Sequence, residues 1–121
     1  MKKQAWKNKI IKACEDAGTY REFFVPAIDT LAGILEKRDE ALDVFEKTGG
    51  NVIVKHTNKN GATNFEQHPA LRLVNDLNRD ALAYWRDLGL TPAGLKRIDE
   101  NRMKGQQNKK SLEDVLAGLG I

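Results

Sequence analysis

Between residues 24 and 45 the apolar side chains Phe24, Ile28, Leu31, Leu35, Leu42 and Phe45 recur in alternating steps of three and four, broken only at Arg38. That spacing predicts one long helix with an a/d seam of about three heptads. Upstream, Gln4–Ala17 reads as a shorter helix with Trp6, Ile10, Ile11 and Cys14 roughly on one side, stopped by Gly18. Thr19 with Glu22 three residues on has capping-box spacing, so the long helix is expected to open near Thr19, with Pro26 in its second turn. Gly49-Gly50 closes it.

From Asn51 to His68 the pattern changes. Val52, Ile53 and Val54 are β-branched, and Asn60-Gly61 is a tight-turn signal followed by Thr63 and Phe65. A short β-hairpin or an ordered loop is expected, leaning on a helix or a neighbouring subunit because two strands alone are marginal. His68-Pro69 opens a second helix to about Leu88, with Leu71, Val74, Asn78, Ala81, Trp85 and Leu88 on one seam and Leu73, Leu77 and Tyr84 on an adjacent stripe. Gly89 ends it. Thr91-Pro92 then pairs an N-cap with the residue best suited to the first helical position. Residues 92–103 read as a short basic helix, residues 104–110 (KGQQNKK) as an unfolded polar linker, and Ser111–Leu119 as a last small helix.

These elements give a mainly α fold: a long helical hairpin with a short β-hairpin or loop between its legs, plus short terminal helices. The expected division is a basic segment 1–18, a helical-hairpin core 19–103, and a linker with C-terminal helix 104–121. The apolar surface on the second leg is wider than one partner helix needs, and Trp6 also awaits a cover, so self-association is expected. At 121 residues a single domain is the natural reading. No apolar run approaches the roughly 20 residues of a membrane span, and no apolar stretch follows the lysine-rich start as in a signal peptide. The single cysteine, Cys14, excludes an internal disulfide framework and fits a reducing, cytoplasmic setting.

Charge divides unevenly. Residues 1–12 carry five lysines and no acid, whereas residues 13–50 hold four basic and nine acidic side chains. The remaining positive charge concentrates in Lys96–Lys110. Basic ends of this kind bind phosphate by counterion release, and the acidic stretch repels it; the alternative is that the lysines only solubilise. Chemistry of other kinds finds little support. His56, Asn64 and His68 lack the spacing of a metal site, and His68 is better placed to cap the Pro69 helix. Asn58, Asn60 and Asn64 suit a turn. Cys14 has no histidine nearby in sequence, no phosphate-binding GxxxxGK[ST] occurs, and Glu36, Asp39, Glu40 and Asp43 read as a solvated helix face. No catalytic residue, metal or cofactor is expected. The turn Leu88–Pro92 followed by Lys96 and Arg97 has the form of a helix-turn-helix joint.

Taken in order, TYREFF at 19–24, GGNVIV at 49–54, NKNGATNFEQHPALRLVND at 58–76 and LGLTPAGLKRI at 88–98 resemble the small terminase subunit of tailed phages with cohesive-end packaging. The resemblance covers about residues 19–98. It implies a non-enzymatic factor of the host cytoplasm that assembles as a ring-type homo-oligomer, recognises double-stranded viral DNA, and regulates the ATPase and nuclease of the large subunit. On that reading, Phe24, Ile28, Leu31, Leu35, Leu42, Phe45, Leu71, Val74, Leu77, Ala81, Trp85 and Leu88 form core and subunit contacts. Lys2, Lys3, Lys7, Lys9 and Lys12 are the first candidates for DNA phosphate, then Lys96, Arg97, Arg102 and Lys104. The Ser111–Leu119 helix either docks on the large subunit or packs on its own chain. Two rivals remain open: a dimeric helix-turn-helix transcription regulator reading DNA through residues 92–103, and a helical adaptor without nucleic-acid affinity.

Overall fold

The structure, a computed structural model, is described over residues 1–118, the side chains of residues 106–112 excepted. Its elements are α1 (Lys3–Ala17), a 3-10 turn (Glu22–Phe24), α2 (Val25–Lys47), the strands β1 (Ile53–Thr57) and β2 (Thr63–Gln67), α3 (Pro69–Asp87) and α4 (Pro92–Gly118). The architecture is mainly helical, with α2 packed between α1 and α3. No helix among the described residues is long and apolar enough to cross a membrane.

The apolar seam of α2 supplies the centre of the core. Ile28, Leu31 and Leu35 are fully buried, joined by Ala32 from the same helix, Ala81 and Leu88 from the second leg, and Ile10 and Cys14 from α1. Phe24, Tyr84, Trp85 and Trp6 pack around them half-buried. The other expected core positions grade outward: Val74 is buried, while Leu42, Phe45, Leu71 and Leu77 are half-buried. Thus α1 takes part of the apolar surplus that the sequence assigned to self-association. Arg38, the break in the seam, lies over the Trp6 ring and donates to Asn78 Oδ1 and Asp39 Oδ1.

The joint between α1 and α2 departs from expectation. No Thr19–Glu22 capping box forms, and α2 begins at Val25 with Pro26 in its first turn, where a missing N–H costs nothing. Thr19 is instead buried, and its hydroxyl donates to the Leu88 carbonyl at 2.7 Å. The reason lies on the acceptor side. Leu88 is the C-cap of α3 and left-handed Gly89 turns the chain out of the helix, so the Leu88 carbonyl has no intrahelical donor and a buried hydroxyl from elsewhere satisfies it.

The two ends of the α2–α3 hairpin are closed differently. At the far end His68 caps α3 as expected: Nδ1 accepts from the Ala70 N–H at 3.0 Å. Because Nδ1 accepts, the proton sits on Nε2, which donates to Thr48 Oγ1 at 2.7 Å; that hydroxyl donates onward to the Val44 carbonyl. One imidazole therefore ties the end of α2 to the start of α3. At the near end the α3–α4 turn forms as its sequence predicts, with Gly89 left-handed at φ 72° and Thr91 Oγ1 accepting from the Gly94 N–H at 3.0 Å.

Between the legs the hairpin, rather than a loop, is what forms. β1 and β2 pair antiparallel with Ile53 opposite Gln67, Lys55 opposite Phe65, and Thr57 opposite Thr63. Asn58 organises the tip, its Oδ1 accepting from the N–H groups of Asn60 and Ala62. Gly61 takes the left-handed conformation the turn requires.

A second correction concerns the C-terminal third. Residues 92–103, 104–110 and 111–118, expected as helix, linker and helix, form the single helix α4. Once Thr91 and Pro92 nucleate it, each further residue adds a hydrogen bond at low entropic cost, and the lysines and glutamines of 104–110 propagate readily. Leu119 of the expected final helix lies outside the described residues.

Candidate nucleic-acid interface

The basic N-terminal segment does not stand free of the bundle. Helix α1 runs back along the acidic face of α2, and Lys3 Nζ reaches Asp29 Oδ2 at 2.9 Å while Lys7 Nζ lies 3.6 Å from Oδ1. The Lys3 N–H donates to Glu36, and the Met1 ammonium meets Asp39 at 3.1 Å. Trp6 Nε1 donates to the same Asp39 Oδ2 at 2.7 Å, and the ring lies between Lys9 and Arg38, each 5.3 Å from its centroid. The local charges of opposite sign are thus partly spent on each other.

The carboxyl groups report this neighbourhood. Partial burial pushes Asp39 upward, but the hydrogen bonds from Trp6, the N-terminal ammonium and Arg38, with the guanidinium charge, outweigh it and hold the group below the ordinary aspartate value. Asp29 is lowered chiefly by its hydrogen bond from Lys3. Burial pushes the Cys14 thiol up, which disfavours the thiolate a nucleophile needs. Beside the α1–α2 contact lies an open cleft of about 460 Å³, lined by Glu36, Asp39, Glu40, Asp43 and Glu46 with Met1, Lys2 and Leu42. Its sign is wrong for phosphate.

The nine candidate cations accordingly fall into two sets. Lys3 and Lys7 neutralise Asp29, and Lys9 covers Trp6. Arg102 donates to the Gly18 carbonyl at the C-terminus of α1, where a cation also suits the helix dipole, and lies 4.0 Å from Asp99. Lys96 sits 4.0 Å from Glu100. Among the described residues, Lys2, Lys12, Arg97 and Lys104 are exposed and have no acidic partner within ion-pair distance. No single surface gathers all nine. Lys96 and Arg97 lie in the first two turns of α4, directly after the capped turn from α3.

Sequence reasoning passed over the exposed cations of the hairpin, Lys55 and Lys59. The signal was present in the alternation of the strands. It was masked by reading that segment only as a connection. The histidines hold no metal-like arrangement: both ring nitrogens of His68 are engaged, and His56 faces Asn64 across the strands. Among the described residues no group of three His, Cys, Asp or Glu side chains is placed to hold a metal ion.

No curated protein and no solved structure matches the chain. A family model described as phage terminase, small subunit, matches residues 3–104, most of the 121-residue sequence. With the fold mainly helical and the motifs at 19–98 inside the matched region, the chain belongs to the family of phage terminase small subunits.

Proposed function

We propose that this chain is the non-catalytic DNA-recognition subunit of a phage packaging motor. It binds double-stranded viral DNA in the host cytoplasm and regulates the ATPase and nuclease of a large terminase subunit. The observation that carries the reading is the family match over residues 3–104. It favours this over the transcription-regulator alternative, because the matched region takes in the long α2–α3 hairpin for which a regulator has no use.

The hairpin is also the proposed oligomerisation core of a ring. Leu73 and Leu82 remain about half exposed on α3, which supports further burial between copies. The last turns of α4, with Val115 and Leu116 exposed, are proposed to dock on the large subunit as an amphipathic segment. Exposed Lys2, Lys12, Arg97 and Lys104, with Lys9 and Lys96 beside them, are proposed for phosphate contact.

Light scattering on a sizing column tests the ring: one sharp peak at many subunit masses is expected, and a monomer or dimer removes the ring from the proposal. Binding to duplex DNA across a salt series tests the cations. Replacing Lys2, Lys9 and Lys12 by alanine is expected to flatten the slope of log K against log salt by about 0.9 per lost phosphate contact. An unchanged slope removes that segment from the interface. Stimulation of the large subunit's ATPase by the purified chain tests regulation.

A further inference from the structure

We propose that the β1–β2 ribbon is itself a DNA-binding element that enters the groove of the duplex; this rests on the chain binding DNA at all. Direct cross-strand partners share a face, so Ile53, Lys55, Thr57, Thr63, Phe65 and Gln67 form one side of the ribbon and Val54, His56, Asn64 and Glu66 the other. The first side carries no carboxylate. The one acid of the ribbon, Glu66, pairs with Val54 on the opposite side, where Val54 is half-buried.

The acid-free side is open to solvent, with Phe65 74% and Ile53 63% exposed. Lys55 stands directly across from Phe65, and Lys59 sits at the tip beside Asn58 and Asn60. Neither lysine has an acidic partner within ion-pair distance among the described residues. A side that offers a lysine, with a second at the tip, an exposed aromatic ring, hydroxyls and an amide without a repelling acid is complementary to phosphate and base edges.

The dimensions agree. Two strands of five residues measure roughly 17 Å long and about 5 Å between backbones, and the major groove, about 12 Å wide, admits a two-stranded ribbon. The tip is held by the Asn58 side chain and the base by the His68 N–H donating to the Val52 carbonyl, so the ribbon is a formed element before any ligand arrives. Lys55 and Lys59 would then reach the flanking phosphates while Phe65 makes apolar contact in the groove.

The test uses the full chain and a random-sequence duplex of about 30 base pairs. Lys55→Ala with Lys59→Ala is expected to weaken binding on the order of tenfold at physiological salt and to lower the salt slope by nearly 2, one contact per lysine. Phe65→Ala is expected to weaken binding with the slope unchanged. All three side chains are exposed, so the circular dichroism spectrum and melting temperature should stay those of the parent. If the parent binds and these variants bind equally well, the ribbon proposal fails while the packaging reading stands; if the parent binds no DNA, it is that reading that fails. A Phe65→Ala variant that keeps DNA affinity but changes solution mass assigns the ribbon to contacts between copies and overturns the proposal.

Discussion

Replacing Thr19 with valine separates the two accounts of the α1–α2 joint. If Thr19 were an N-cap paired with Glu22, its loss would cost about 1 kcal/mol and Glu22 would share the effect. In the structure the hydroxyl is buried and donates at 2.7 Å, near the optimum for an O–H···O bond, to a carbonyl that the end of α3 leaves without a helical donor. Valine keeps the shape but removes that donor. Water cannot replace it, because Leu88 is buried and Gly89 approaches so closely that a Cβ there would lie 2.8 Å from Thr19 Cγ2. The cost is therefore the desolvation of an unpaired buried carbonyl, about 1–3 kcal/mol. Thermal and urea unfolding at one fixed protein concentration would read it, at roughly 4 °C per kcal/mol for a chain of this size. Glu22→Ala, at an exposed position, is the control and should change stability by less than about 0.5 kcal/mol. A valine variant as stable as the parent, or a Glu22→Ala cost equal to the valine cost, would refute the reasoning.

Three further outcomes follow from the packing and charge. Leu31→Ala, at a fully buried position, should cost about 2–5 kcal/mol, and Trp85→Ala, only half-buried, should fall at the lower end, both read from urea midpoints. Gly94→Ala would place a Cβ 2.1 Å from the Arg86 carbonyl oxygen, so it should destabilise by at least about 1 kcal/mol despite alanine's better helix propensity, whereas Gly105→Ala meets nothing within 4 Å and should be neutral or stabilising in the same melts. Asp39 has a folded-state pKa below its unfolded one, so its contribution is complete above the ordinary aspartate range near 3.9 and is lost as pH falls through the lower folded value. Asp39→Asn should accordingly flatten the acid limb of stability against pH, and an unchanged limb would remove the Trp6–Asp39 contact from the energetics.

What the sequence made legible was local. The three-and-four spacing from Phe24 to Phe45 found α2 and its buried Ile28, Leu31 and Leu35, and Thr91-Pro92 and His68-Pro69 found both later helix starts because a cap and a missing N–H act within one turn. At Thr19 it misled because a distant partner decided. Thr19 and Glu22 have capping-box spacing, but the demand of a carbonyl 69 residues away took the hydroxyl. The polar run at 104–110 has no apolar face to announce a helix, yet it sits downstream of a nucleated one with no proline to stop it. For the interface, the lysines of residues 1–12 were visible as charge, but which of them are neutralised depends on α1 folding back on α2, a contact that no spacing within either helix encodes.

That fold-back sets where a polyanion can approach. Helix α2 carries the acidic excess, and α1 cancels part of it with Lys3 and Lys7, leaving the cleft lined by Glu36, Asp39, Glu40, Asp43 and Glu46 on the same bundle. A duplex laid along the middle of α2 would meet those carboxylates within a Debye length of about 8 Å at physiological salt. Among the described residues, three exposed cations without an acidic partner lie towards the two ends of α2. Lys55 and Lys59 project at the end closed by Thr48 and His68, and Arg97 lies at the end closed by Thr19 and Leu88. With 23 residues at 1.5 Å each, α2 holds these ends roughly 35 Å apart, which is close to one turn of B-form DNA. If the chain binds DNA as proposed, the acidic middle of α2 would disfavour adhesion along that helix, so charge that weakens binding overall would also narrow the orientations in which DNA can bind.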